Sequence, residues 1–370
     1  MPQNQTELTC GERAVRCLMG ESIDHVPYGV GLGWYPWGDT INRWQSESGD
    51  PNLNPTELLG FESSFAITPL ISGIYPGFET IVIEETDEYI IFREARGITM
   101  KNVKSVNGSM PEWLDYPVKT EADWERLKEE RLRIDDASRV PEDWSGFREQ
   151  LKTTGEAVQA GIFPYGVFGT VRDFLGVEEM LISFYTRPEM IRDMMEHLTS
   201  LWISLWEKAS NDVQIDHIHI WEDMSGKQGS LISPKMVREF MMPCYDRIVD
   251  FAKSAGVRIV SVDTDGNCSE LVPLMMEHGI NMFLPFEVQA GNDILEYRAR
   301  YPELGIVGGL DKRALAHSKA AVDRELEKAA RMIELGRYIP CFDHLIPPDV
   351  PWENFRYAAE EMKKICFGRR

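Results

Sequence analysis

From Ala157 to the end of the chain, short apolar runs alternate with amphipathic helical ones, and this alternation constrains the fold more than any other feature. The strand-like runs are Ala157–Ile162, Ile215–Trp221, Val257–Val262, Ile280–Pro285, Gly305–Val307 and Tyr338–Pro340. Helical runs between them include Pro188–Lys208, Pro234–Ala255 and Ala320–Leu335. Arg187-Pro188 and Ser233-Pro234 suit helix openings, since proline is tolerated in the first helical turn. Two further runs, near Val26 and Phe65, would bring the strands to eight. A repeated βα unit with parallel strands predicts a closed (β/α)₈ TIM-like barrel. An open doubly wound sheet is the alternative, but no G-x-G-x-x-G follows any strand. Walker A, G-x-S-x-G and H-E-x-x-H sequences are likewise absent.

The earlier part of the chain departs from this pattern. Between residues 78 and 104, Thr80–Glu84, Tyr89–Arg93 and Ile98–Met100 are strand-like with charged turns, predicting an inserted antiparallel meander within one 370-residue domain. Residues Cys10–Met19 place Cys10, Ala14, Cys17 and Leu18 near one helical face. Thr120, followed by Glu121 and Asp123, reads as a helix cap. Val26–Gly31 runs into an aromatic, glycine-rich loop, Gly31–Gly38, of the kind that can wrap a ligand.

The net charge of -21 argues against nucleic acid or an anionic membrane surface as partner. Residues Met1–Glu7 show no secretory signal, and no uninterrupted apolar run is long enough to span a bilayer. The cysteines, Cys10, Cys17, Cys244, Cys268, Cys341 and Cys366, are scattered and form no C-x-x-C pair, which predicts free thiols in a cytoplasmic protein.

In such a barrel, chemistry collects where the strands end. The run ending at Trp221 leads into Glu222-Asp223-Met224, and the next leads into Asp263-Thr264-Asp265-Gly266-Asn267. After these come Glu287, then Gly309-Leu310-Asp311-Lys312-Arg313, then Cys341-Phe342-Asp343-His344. Alternate residues of a strand share a face, so Asp263 and Asp265 point the same way, about 7 Å apart. Like charges so placed are costly without a cation, a proton or a donor between them. Carboxylates with one imidazole suit a divalent ion, or acid–base work. His217 and His219 also share a face, but lie below the acidic end and read as packed interior residues. Lys312 and Arg313 could clamp an anion, or pair with Asp311 or Glu287.

Several of these stretches together resemble the uroporphyrinogen decarboxylase superfamily, which also contains methyltransferases acting with corrinoid proteins. They are Asp265-Gly266-Asn267, Pro285-Phe286-Glu287 with Gly291 and Asp293, Gly308–Lys312, and Asp343-His344 through Ile346–Pro351, Glu353 and Asn354. The likeness is strong from about Tyr165 onward. It implies a distorted (β/α)₈ barrel with a cleft at the C-terminal strand ends. Relatives in the methyltransferase branch place a His-x-Cys pair and a later cysteine as zinc ligands; Asp263, Asp265 and His344 stand there in this chain. The resemblance therefore implies a divalent metal, zinc in relatives, held by Asp263, Asp265, Glu222, Glu287 and His344. Asp265, His344 and Glu222 are the expected catalytic groups, and Trp34, Tyr35, Trp37, Tyr165 and Lys312 the expected substrate contacts. A methyl group would pass from a small substrate, with methoxylated aromatics among the candidates, to a corrinoid protein, and a homodimer is among the expectations. The decarboxylase branch uses an arginine-rich N-terminal loop, whereas Gly31–Gly38 contains no arginine. A metal-free decarboxylase or lyase using Asp265 and His344 is the alternative; a non-catalytic binding module is a third reading.

Overall fold

The computed structural model describes residues 7–104 and 110–368. Most of the N-terminal stretch read above for a signal, Met1–Thr6, lies outside them. In chain order the strands are β1 (Phe65–Ile67), β2 (Ile81–Glu85), β3 (Tyr89–Arg93), β4 (Thr99–Val103), β5 (Glu112–Asp115), β6 (Ala157–Ala160) and β7 (His217–Trp221). They continue as β8 (Ser225–Gly226), β9 (Gly229–Ser230), β10 (Ile259–Asp263), β11 (Met282–Leu284), β12 (Gly305–Val307) and β13 (Tyr338–Ile339). Seven of them form one parallel sheet in the order β1-β6-β7-β10-β11-β12-β13, wrapped by helices in a TIM-like α/β fold.

The helices start where the sequence provides partners for free N–H groups. Thr9 and Glu12 make a reciprocal capping box ahead of Cys10–Leu18, and Thr120 and Asp123 do the same for Glu121–Arg131. Pro188–Ala209 opens on its proline and buries Met194, Leu198, Leu201 and Leu205 along one stripe. The helix expected over Pro234–Ala255 contains a π-helical turn at Val237–Met241 before resuming as Met242–Ser254. Among the described residues no helix is long and apolar enough to cross a membrane.

The strand expected at Val26–Gly31 does not form. Gly29 and Gly31 have φ of 76° and 104°, outside the extended region, and Pro27 has no N–H to give a ladder. The segment still fills the space between the sheet's two ends. Glu62 N–H donates to the Tyr28 carbonyl (2.9 Å) beside β1, and the Trp34 indole donates to the Pro340 carbonyl (2.9 Å) beyond β13. Gly33 is required there, because a Cβ would lie 2.1 Å from the Phe342 carbonyl oxygen. Backbone bonds from Trp37 to Ile346 and from Ile346 to Tyr35, each 2.9 Å, complete the seam. The antiparallel meander is present as β2–β4 and extends to a fourth strand, β5.

Candidate active site

Strand register decides which side chains enter the barrel. Ser261 pairs with His219, and Asp263 with Trp221. The side chains of His217, His219 and Trp221 therefore share the face of Ser261 and Asp263. His217 Nε2 and His219 Nδ1 lie 2.7 and 3.0 Å from the Ser261 hydroxyl, and His219 Nε2 lies 3.7 Å from Asp263 Oδ2. Both imidazoles are held neutral by burial, which pushes His219 down to about 4.

At the strand ends above them, Asp265 Oδ2 and His344 Nε2 face each other at 3.6 Å. The Trp37 ring lies beside the imidazole, centroids 5.8 Å apart. Burial, then the charges of Glu287 and Asp223, push the Asp265 carboxyl up to about 7, against the pull of Lys312. Its side chain keeps 37% of its exposure, so solvent reaches it at the strand ends. Asp263 is raised well above the carboxylate range by burial and then by Asp265 and Asp223. Burial lowers His344, and Lys312 adds to this.

The other acids at this end are already engaged. Glu287 accepts from Gly266 N–H (2.9 Å), and Asp343 accepts from the N–H groups of Val288 and Lys312 (2.9 and 3.2 Å). Lys312 Nζ sits 3.7 Å from Glu287 and 3.8 Å from Asp343, so it is the cation shared by these two acids. Arg313 turns away to pair with Asp311. Gly266 has φ of 74°, and a Cβ there would lie 2.4 Å from the Ser225 carbonyl oxygen. Only glycine lets the Asp265 turn close on the β8 hairpin.

Three expected site residues are placed elsewhere. Glu222 has the opposite parity to Trp221 and points outward, fully buried. Its carboxylate accepts from the N–H groups of Val167, Phe168 and Gly169 (3.0, 2.6 and 3.0 Å) and from the Tyr245 hydroxyl. Trp34 is fully buried and packs on Phe61, Phe342 and Phe355 rather than facing a ligand. The Tyr165 hydroxyl lies over Gly73, where a Cβ would come within 2.3 Å of it. Tyr35 is 38% exposed, and Trp37, partly exposed, is the aromatic residue of the loop that stands beside His344.

Asp223, which sequence reading left unassigned, takes the position expected of Glu222. Its charge acts on Asp263, Asp265 and His344. Its φ of 42° is unusual for a residue other than glycine, and such strain is retained where surrounding contacts enforce it. Arg172 supplies those contacts: one amino group donates to the Asp223 carbonyl (2.6 Å) and to its carboxylate (2.8 Å). Odd-numbered alternation from His217 through Trp221 was the signal that could have found Asp223.

Among the described residues, no group of three or more His, Cys, Asp or Glu side chains converges as metal ligands do. Glu222 is committed to backbone N–H groups, and Glu287 to Gly266 and Lys312. In this arrangement the residues do not fit the expected five-ligand zinc site.

A parallel α/β barrel with a carboxylate–imidazole pair at its C-terminal strand ends has the layout of an enzyme of the TIM-barrel class. The uroporphyrinogen decarboxylase (URO-D) family matches residues 89–365, three quarters of the chain, and the chain belongs to that family. No curated protein matches the sequence. Among solved structures, a methyltransferase from Methanosarcina mazei is similar, with a TM-score of 0.58 and 16% identity over 97% of this chain and 99% of that one. At that identity the likeness is one of fold.

Proposed function

We propose that this chain is a methyltransferase of the uroporphyrinogen decarboxylase family, acting on a small substrate that carries its methyl group on oxygen. The observation that carries the reading is the Asp265 carboxyl, pushed up to about 7 and set 3.6 Å from His344. Breaking a methyl–oxygen bond leaves the electron pair on oxygen, and that oxygen needs a proton. A carboxyl that still holds its proton near neutral pH can supply it. Asp265 would donate to the leaving oxygen and become a carboxylate, with His344 beside it to orient it and return a proton from solvent. Lys312 offsets Glu287 and Asp343, which leaves Asp265 as the exposed acid of the cluster. Tyr35 and Trp37 give the substrate an apolar wall. A corrinoid carried by a partner protein would supply the nucleophile that accepts the methyl group.

The test is a single-turnover assay with reduced corrinoid and methoxybenzenes, reading corrinoid methylation by its absorbance. Asp265→Asn should lower the rate by about 10²-fold or more. An undiminished rate in that variant would end the assignment. Release of carbon dioxide from a carboxylated substrate without corrinoid would instead favour the decarboxylase reading, with the same pair as acid and orienter.

A further inference from the structure

The wall of the cleft formed by β7 and the segment after β6 carries a cation and two aromatic rings that the reading above does not use. The Arg172 guanidinium lies 4.9 Å from the centre of the Trp221 ring, and Phe163 meets the same ring edge-on at 4.7 Å. Phe163 is 60% exposed, a large apolar ring left open to solvent beside a polar cleft. Arg172 uses one amino group on Asp223, while its Nε and other amino group have no acceptor among the described residues. A guanidinium with a free fork over an aromatic face matches a carboxylate in geometry as well as charge.

We propose that Arg172, Trp221 and Phe163 form an anchoring subsite for the carboxylate and ring of a planar aromatic acid, whose reacting group then lies at Asp265. This names the substrate class of the same cleft and rests on the reading that the cleft acts on a small methylated substrate. The placement follows from strand register: Trp221 pairs with Asp263, two residues before Asp265, and the Asp223 N–H, on the residue held by Arg172, donates to the Asp263 carbonyl (3.3 Å). The anchor and the proton donor are thus separated by one side chain. The acids nearby do not repel such a substrate strongly. Asp223 is already paired with Arg172, and burial and neighbouring acids raise the Asp263 and Asp265 carboxyls, which disfavours their charged forms. Lys312 is the less suitable anchor because Glu287 and Asp343 both flank it.

The experiment is equilibrium binding to the full chain, by calorimetry, of 4-methoxybenzoate and of the neutral ether methoxybenzene. The wild-type protein should bind the anion at least about tenfold more tightly, and added salt should reduce that preference. Arg172→Met should abolish the preference while methoxybenzene still binds, which also shows that the variant is folded. Arg172→Gln, which keeps a donor for the Asp223 carbonyl, serves as the second variant with the same expectation. Phe163→Ala should weaken both probes alike. Equal binding of the two probes by the wild type, no binding of the anion, or a preference that survives both Arg172 variants would overturn the proposal. These measurements involve no turnover, so failed methyl transfer leaves them intact, and a missing preference leaves the Asp265 assignment standing.

Discussion

Glu222 and Asp265 stand at the ends of neighbouring strands, β7 and β10, and burial raises both carboxyls, yet they live in opposite surroundings. Glu222 is sealed from solvent, and three backbone N–H groups and a tyrosine hydroxyl satisfy it. Asp265 is open to the cleft and crowded by other acids. Glu222 ties the loop ahead of helix Gly169–Leu175 to the sheet, where a carboxylate can accept several donors at once. Asp265 has no comparable set of donors and is poised to exchange a proton. Local sequence looks alike at the two sites; the difference lies in what each carboxylate receives.

The sharpest break of this comparison is Asp265→Asn. Activity should fall by about 10²-fold or more, while folding stability above pH 7 should rise. The sign follows from linkage. A carboxyl raised in the folded state makes that state bind more protons than the unfolded chain between about pH 4 and pH 7. Stability from this group is therefore full below the unfolded value and lost as pH rises through about 7. With the side chain partly exposed, solvent screening limits the gain on removing it to on the order of 1 kcal/mol. Urea midpoints at pH 5 and pH 8 measure it; a variant less stable than wild type at both would contradict the crowding argument.

Glu222→Ala should do the reverse, costing about 3 kcal/mol by leaving buried N–H groups without an acceptor. Turnover per folded molecule should stay near normal, and a large loss of turnover in a well-folded variant would return Glu222 to the catalytic set. Next in size, the wild-type rate should decline as pH rises through about 7, where Asp265 loses its proton. A rate that climbs across that interval would make Asp265 a base instead. The smallest effects come from its neighbours. Glu287→Gln should move the descending limb toward acid and Lys312→Met toward alkali, because Glu287 raises the Asp265 carboxyl and Lys312 lowers it.

Much of this was legible in the sequence, for identifiable reasons. Strands β6, β7 and β10–β13 announced themselves because parallel strands covered by helices are apolar along their length. Asp265, Glu287 and His344 followed from lying where those runs stop. Val26–Gly31 misled because its apolar residues suggested a strand while Gly29 and Gly31 adopt positive φ, which periodicity does not register. Trp34 misled because an aromatic residue in a glycine-rich loop looks like a ligand contact until its indole is seen bonded to Pro340. Glu222 and Asp223 differ only in parity, and one residue of register exchanges the cleft for the outer face.

The seam between the aromatic loop and the segment after β13 sets the order in which the candidate site can come into being. Trp34 reaches its partner Pro340 across 306 positions of chain, and Trp37 is bonded to Ile346, two residues beyond His344. During synthesis the early loop therefore waits, its indole unpaired, until the segment after β13 has been made. Contacts of such long range form slowly, because the chain between them must be ordered before they contribute. The middle strands can assemble earlier, and His344 takes its place beside Trp37 only when the aromatic loop and the segment after β13 meet.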